Sequence, residues 1–184
     1  MADTMRQAYE AAGALRYYFD KTVPIDLWRG LKKSVLRDRV AEVLRQGGKS
    51  PSDRDIAVEP LTVGFEIVTP AGRRWRQPDV EVFQQNGQPW IRGCRTTRTG
   101  GRHWGISLWD QQPAFAARGG WHSFRLPKGA PIPEALAVTQ DDDHTSGPNH
   151  YTLAPKDDMP LGLYVQWLKE LAASFREWDE GGGK

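Results

Sequence analysis

A chain of 184 residues, 39% of them hydrophobic, fits one domain and is long enough to bury a substantial core. No apolar run approaches the length of a membrane span, and the opening MADTMRQAYE lacks a signal peptide's basic and apolar regions, so a soluble protein made in the cytoplasm, with no membrane partner, is expected. A lone cysteine, Cys94, excludes an internal disulfide framework and a multi-cysteine zinc site, while the net charge of +2 hides a strongly uneven distribution.

In chain order, Tyr9, Ala12, Leu15, Tyr18 and Phe19 fall at helical spacing behind Thr4. They predict a helix over 4–19, and residues 1–24 read as a helical extension of a single domain spanning 1–184. The next stretch, PIDLWRGL, suits either a helix capped by Asp26 or a strand carrying Ile25, Leu27 and Leu31. Val35, Leu36, Val40, Val43 and Leu44 predict a helix over 34–46, stopped by Gly47-Gly48.

After the loop GGKSPSD the texture becomes short and β-like: LTVGFEIV, a DVEVFQ and QPWIRG hairpin about Asn86-Gly87, then HWGISLWD, WHSFRLP, ALAVTQ and HYTLAP. Leu161, Tyr164, Leu168, Leu171, Phe175 and Trp178 form one stripe and predict a last helix over 160–178, with Asp157 and Asp158 at its positive end. The tail over 179–184, ending in GGGK, should fray. Helices first and last around several short strands, without an internal repeat, indicate an α+β fold.

Charge is concentrated in the middle. Between Arg73 and Arg102 lie seven arginines (Arg73, Arg74, Arg76, Arg92, Arg95, Arg98, Arg102) against the two acids Asp79 and Glu81, whereas ten acids face three bases from Glu134 to Glu180. Such a segment suits phosphate, on a nucleotide or on nucleic acid, because the planar guanidinium fork pairs with its oxygens; a solvated basic surface is the simpler alternative. The histidines His103, His122, His144 and His150 offer no HxH or HExxH pattern, so no metal site is expected. Asp141-Asp142-Asp143 lacks the EF-hand pattern and reads as a turn. No phosphate-binding loop or nucleophile elbow occurs, and Cys94 has no histidine placed to activate it. Among the eight tryptophans, Trp28, Trp104 and Trp109 are candidates to line a pocket for a flat ring.

Three segments in order, LWRG, then GISLWD, then WHSFRLPKGAPIPEALAVTQDDDHTSGPNHYTLAPKDDMPL, resemble the small bacterial NAD-dependent toxins of the ADP-ribosyltransferase-like superfamily. The likeness is to the type VI secretion effector group with Gly-x-Ser and His-Tyr-Thr motifs, and it is best from about Pro78 to the last helix, with Asp79 and Trp90 also resembling parts of the pattern. The resemblance implies a split β-sandwich of two small antiparallel sheets with flanking helices, binding NAD in the cleft between them. It implies Arg29, Ser107 and His150 as catalytic residues, and Trp28, Arg29, Gly30, Gly105, Ile106, Ser107, Trp109, Tyr151 and Thr152 as the NAD-binding set.

It further implies a cytotoxic NAD-consuming enzyme, held inactive in the producer's cytoplasm by a cognate immunity or antitoxin protein and delivered into target cells by type VI secretion. Its acceptor would be a protein or RNA, or water in a glycohydrolase. The superfamily's usual third-motif glutamate is missing from NHYTLAP, and Asp79-x-Glu81 stands in the wrong chain order to replace it. Either His150 replaces it, or an aspartate from 141–143 swings in, or the pocket binds NAD without transferring anything. Outside the resemblance, the arginine-rich middle with exposed tryptophans suits a non-enzymatic nucleic-acid-binding module.

Overall fold

A computed structural model of the chain describes residues 17–94, 105–112, 114, 119–140 and 145–178. Two strands and a helix open it: β1 Tyr17–Phe19, β2 Leu27–Lys32, then α1 Lys33–Arg45. A one-and-a-half-turn helix, α2 Asp53–Ala57, follows, and two hairpins come next, β3 Phe65–Thr69 with β4 Gly72–Arg76 and β5 Val82–Gln85 with β6 Gln88–Ile91. The remainder is β7 Ile106–Trp109, β8 Trp121–Leu126, β9 Leu136–Gln140, β10 His150–Pro155, β11 Met159–Pro160, α3 Leu161–Ala172 and β12 Arg176–Trp178. β1 stands where a helix was expected.

The fold is α+β, and every strand pair is antiparallel. Seven strands form the main sheet in the order β1-β9-β10-β7-β2-β8-β12, three form β11-β6-β5, and β3 and β4 make a separate ribbon. Alternation along the strands sorts the main sheet into two faces. One carries Leu27, Ile106, Leu108, Phe124, Leu126, Val138, Tyr151 and Leu153, and packs with Ala57 of α2 and Tyr164, Leu168 and Leu171 of α3 into the main core. The other covers Ala137 and Ala154 with Cys94 and Tyr18. No helix among the described residues is long and apolar enough to cross a membrane.

Several sequence expectations need correction. Tyr17–Phe19 do not continue a helix but form β1, paired residue for residue with Val138–Gln140, so this part of the supposed extension belongs to the sheet; residues 4–16 lie outside the described residues. PIDLWRGL resolves to a strand, since β2 has β8 to pair with over its whole length. The last helix stops at Ala172, not at Trp178. Its apolar stripe carries on past that end: Ser174 and Phe175 close a turn onto Leu171 and Ala172, Phe175 is buried, and Arg176–Trp178 pair with the otherwise open edge of β8. Asp158 lies away from a purely capping role, accepting from Arg92 Nη1 at 2.9 Å and the Gly93 amide at 2.8 Å.

The hairpin about Asn86-Gly87 forms as expected, with both residues at positive φ (51° and 73°), the conformation a two-residue turn between antiparallel strands demands.

Candidate active site

β2 has neighbours on both sides, but very unequally. It forms a six-pair ladder with β8 and meets β7 at the single pair Trp28↔Trp109. At this junction the Arg29 guanidinium makes the bonds that the ladder does not. Its Nε donates to the Ala57 carbonyl at 3.0 Å and its Nη1 to the Ser107 carbonyl at 3.1 Å. One side chain thus ties β2 to β7 and to the end of α2, and its planar fork fixes the direction of the remaining edge.

The electrostatic surroundings of Arg29 come from a segment far along the chain. Burial pushes its pKa down from the ordinary arginine value, Asp79 opposes that shift, and Arg76 adds to it. Asp79 is itself buried: its Oδ1 accepts from Arg76 Nη2 at 2.8 Å and its Oδ2 from the Leu61 amide at 2.9 Å. Tyr164 lies on the same side, donating its hydroxyl to the Leu153 carbonyl at 3.0 Å, and burial pushes its pKa well up. The site therefore holds a shielded cation whose neutralising carboxylate is shared with a second arginine.

Register lines up the other candidates. Trp28, Trp109 and His150 stand opposite one another across β2, β7 and β10, and Ser107 stands opposite Thr152. Directly paired residues share a face, so these side chains lie on one side of the sheet. The His150 and Trp109 rings meet edge to face, with centroids 4.8 Å apart. Ser107 is half-buried, and its hydroxyl has no hydrogen-bond partner among the described residues. Arg29, one residue on from Trp28, has its side chain on the opposite face, with the main core; it reaches Ser107 through the main chain and not through the hydroxyl.

The start of β10 is clamped. Asp110 Oδ1 accepts from the Asn149 amide at 2.7 Å and Oδ2 from Asn149 Nδ2 at 2.8 Å, while the Asp110 amide donates to the Asn149 carbonyl at 3.2 Å. The aspartate closing GISLWD therefore fixes the residue before His150, which accounts for a polar strand start where burial alone would favour apolar residues. At the other end of the motif, a Cβ on Gly105 would run into the Leu153 carbonyl of β10. Only glycine lets β7 begin this close to its neighbour.

The NAD-binding set expected from the resemblance divides accordingly. Trp28, Ser107, Trp109 and His150 are partly exposed on the shared face, with Gly30 on β2 beside them. Ile106 and Tyr151 are buried in the main core, and Thr152, on the same face as Ser107, is buried as well, so none of these three side chains is open to a ligand. Trp104, His103, His144 and Asp141–Asp143 lie outside the described residues. The sequence reading missed Ala57 and Tyr164. A signal for α2 existed: Ser52 accepts from the Asp55 amide at 3.1 Å, the S-x-x-D start signature hidden in a stretch that reads as loop.

The arginine-rich middle does not act as one patch. Arg76 is held by Asp79, and Arg92 by Asp158 and Glu81 while lying 4.0 Å over the Phe83 ring. Arg73 and Arg74 project on the β3–β4 ribbon, and Arg95, Arg98 and Arg102 lie outside the described residues.

No curated protein matches the chain. A family model described as Tse2 ADP-ribosyltransferase toxin matches residues 18–178, from within β1 through the β2–β7 junction and the clamped start of β10 to the end of β12. The chain belongs to the Tse2 ADP-ribosyltransferase toxin family.

Proposed function

We propose that the protein is a bacterial toxin that cleaves NAD, as an ADP-ribosyltransferase or a glycohydrolase, with the reaction centred on the β2–β7 junction. The observation that carries this reading is the bonding of Arg29 to the Ser107 carbonyl at a place where two strands share a single pair. The junction is read as the split of a β-sandwich, the fold in which a dinucleotide lies bent across the gap.

The donor set fits the substrate. Arg29 keeps a buried cation on the core side of the gap, where the part of its fork that the two carbonyls leave unused would meet the pyrophosphate of a dinucleotide passing between β2 and β7. Ser107 offers a hydroxyl for the nicotinamide ribose. Trp28 and Trp109 supply flat walls, and edge-to-face contact with Trp109 sets the His150 ring. When the nicotinamide–ribose bond breaks, its electron pair leaves with nicotinamide and positive charge grows on the ribose. The acceptor's nucleophile then bonds to that carbon and surrenders its proton, which His150 is suited to take. His150 thus fills the role of the absent glutamate.

A cognate immunity protein would act by covering the gap between Arg29 and Ser107 in the producer's cytoplasm, and type VI secretion is the proposed route into target cells. The test is incubation of the protein with radiolabelled NAD and a cell extract, beside Ser107→Ala. Label transferred to a macromolecule by the wild type alone supports transfer; free ADP-ribose alone supports hydrolysis; equal behaviour of the two proteins removes the assignment.

A further inference from the structure

The β3–β4 ribbon pairs with no other strand among the described residues, yet it carries large apolar side chains in the open. Trp75 is 59% exposed, Phe65 49% and Val68 72%. A lone two-stranded hairpin is marginal by itself, and exposed apolar surface of this kind marks a place of contact. The charge is equally lopsided: over 65–76 the chain holds Arg73, Arg74 and Arg76 against Glu66. Arg74 has no partner among the described residues, and Arg73 reaches Glu66 only at 3.4 Å between two well-exposed groups.

Trp75 is set as a platform. Its ring lies against Gly64, where an added Cβ would come within 2.8 Å of the indole, so one side of the ring is backed by main chain while much of it remains open. Arg73 and Arg74 immediately precede it, one on each face of the ribbon, given their pairings with Val68 and Ile67. A fixed, open aromatic ring beside the unpaired Arg74 and the loosely paired, exposed Arg73 matches bases that stack and phosphates that pair. The base of the ribbon reaches the candidate active site through Arg76, Asp79 and Arg29.

We propose that the β3–β4 ribbon is a docking surface for single-stranded polynucleotide, presenting it beside the β2–β7 junction. The binding is independent of NAD cleavage and is measured without NAD. The probe is a fluorescently labelled single-stranded RNA of mixed sequence, followed by anisotropy with the full chain over a range of salt concentrations. Binding should weaken steeply with salt, Trp75→Ala should weaken it by about tenfold, and Arg73→Glu with Arg74→Glu should flatten the log–log salt slope by about 1.4. Arg74→Glu alone, at an exposed position without a partner, keeps the test valid if Trp75→Ala fails to fold. Absence of RNA binding, or binding that Arg74→Glu leaves unchanged, overturns the proposal. Self-association abolished by Trp75→Ala, with no RNA bound, would assign the ribbon to a second copy of the chain instead.

Discussion

Arg29 Nη1 donates to the Ser107 main-chain carbonyl at 3.1 Å, joining residues 78 positions apart across the weakest ladder of the main sheet. Replacing Arg29 by lysine keeps the charge but removes the fork that serves Ala57 and Ser107 together. We expect Arg29→Lys to lose about a hundredfold in nicotinamide release, the cost of a misplaced anchor. Arg29→Ala should also lower stability by about 1–3 kcal/mol, because two carbonyls lose their donor. Urea unfolding alongside the release assay separates the two effects.

Ser107→Ala should behave differently. Its hydroxyl bonds to nothing among the described residues, so the substitution should change stability by no more than about 0.5 kcal/mol while abolishing toxicity in an expressing cell. A thermal melt beside a growth assay checks both halves.

Asp110→Ala removes the clamp on Asn149 and frees the start of β10. A loss of about 1–3 kcal/mol is expected, with reduced NAD cleavage even where the protein remains folded. Asp110→Asn, which keeps one acceptor, should recover part of the cleavage; identical defects in both variants would show that geometry at His150 is not what Asp110 supplies.

Tyr164 gives a pH dependence with a definite sign. Burial raises its folded-state pKa above the ordinary 10.0, so its contribution to stability is fully present below about pH 10 and is lost as pH rises towards the folded-state value. The wild type should therefore lose stability on the alkaline side, and Tyr164→Phe should lose less over the same range. Urea midpoints measured at neutral and alkaline pH decide this.

The legible parts of the fold were those in which local pattern and tertiary contact agree. The Asn86-Gly87 hairpin, the strands around Ser107 and His150, and α1 all follow from turn chemistry or periodicity. The last helix was overextended because Phe175 keeps the apolar period after Ala172, although it is buried by a turn and not by a helical turn. β1 was hidden because Tyr18 and Phe19 fit helical spacing equally well; what decides is the partner strand β9, which lies more than a hundred residues on. β4 was hidden by its composition, since GRRWR shows no apolar alternation and its side chains are largely exposed.

The candidate site's motif residues could be named from the sequence, but their spatial relation could not. Pattern matching brought Arg29, Ser107 and His150 together as one set, but strand parity sends the Arg29 side chain to the core face and those of Ser107 and His150 to the other. Ala57 of α2, Asp79 of the bend between β4 and β5, and Tyr164 of α3, which surround Arg29, are far apart in the chain, and only the packed fold makes them neighbours.

The most direct test of the account is the rate of nicotinamide release from NAD by the purified wild type, Ser107→Ala and Arg29→Lys proteins, in the presence of cell extract and with folding confirmed for each. Release by the wild type that disappears in Ser107→Ala and falls steeply in Arg29→Lys is the predicted result. No release from folded wild type, or an equal rate in all three, would contradict an NAD-cleaving site at the β2–β7 junction.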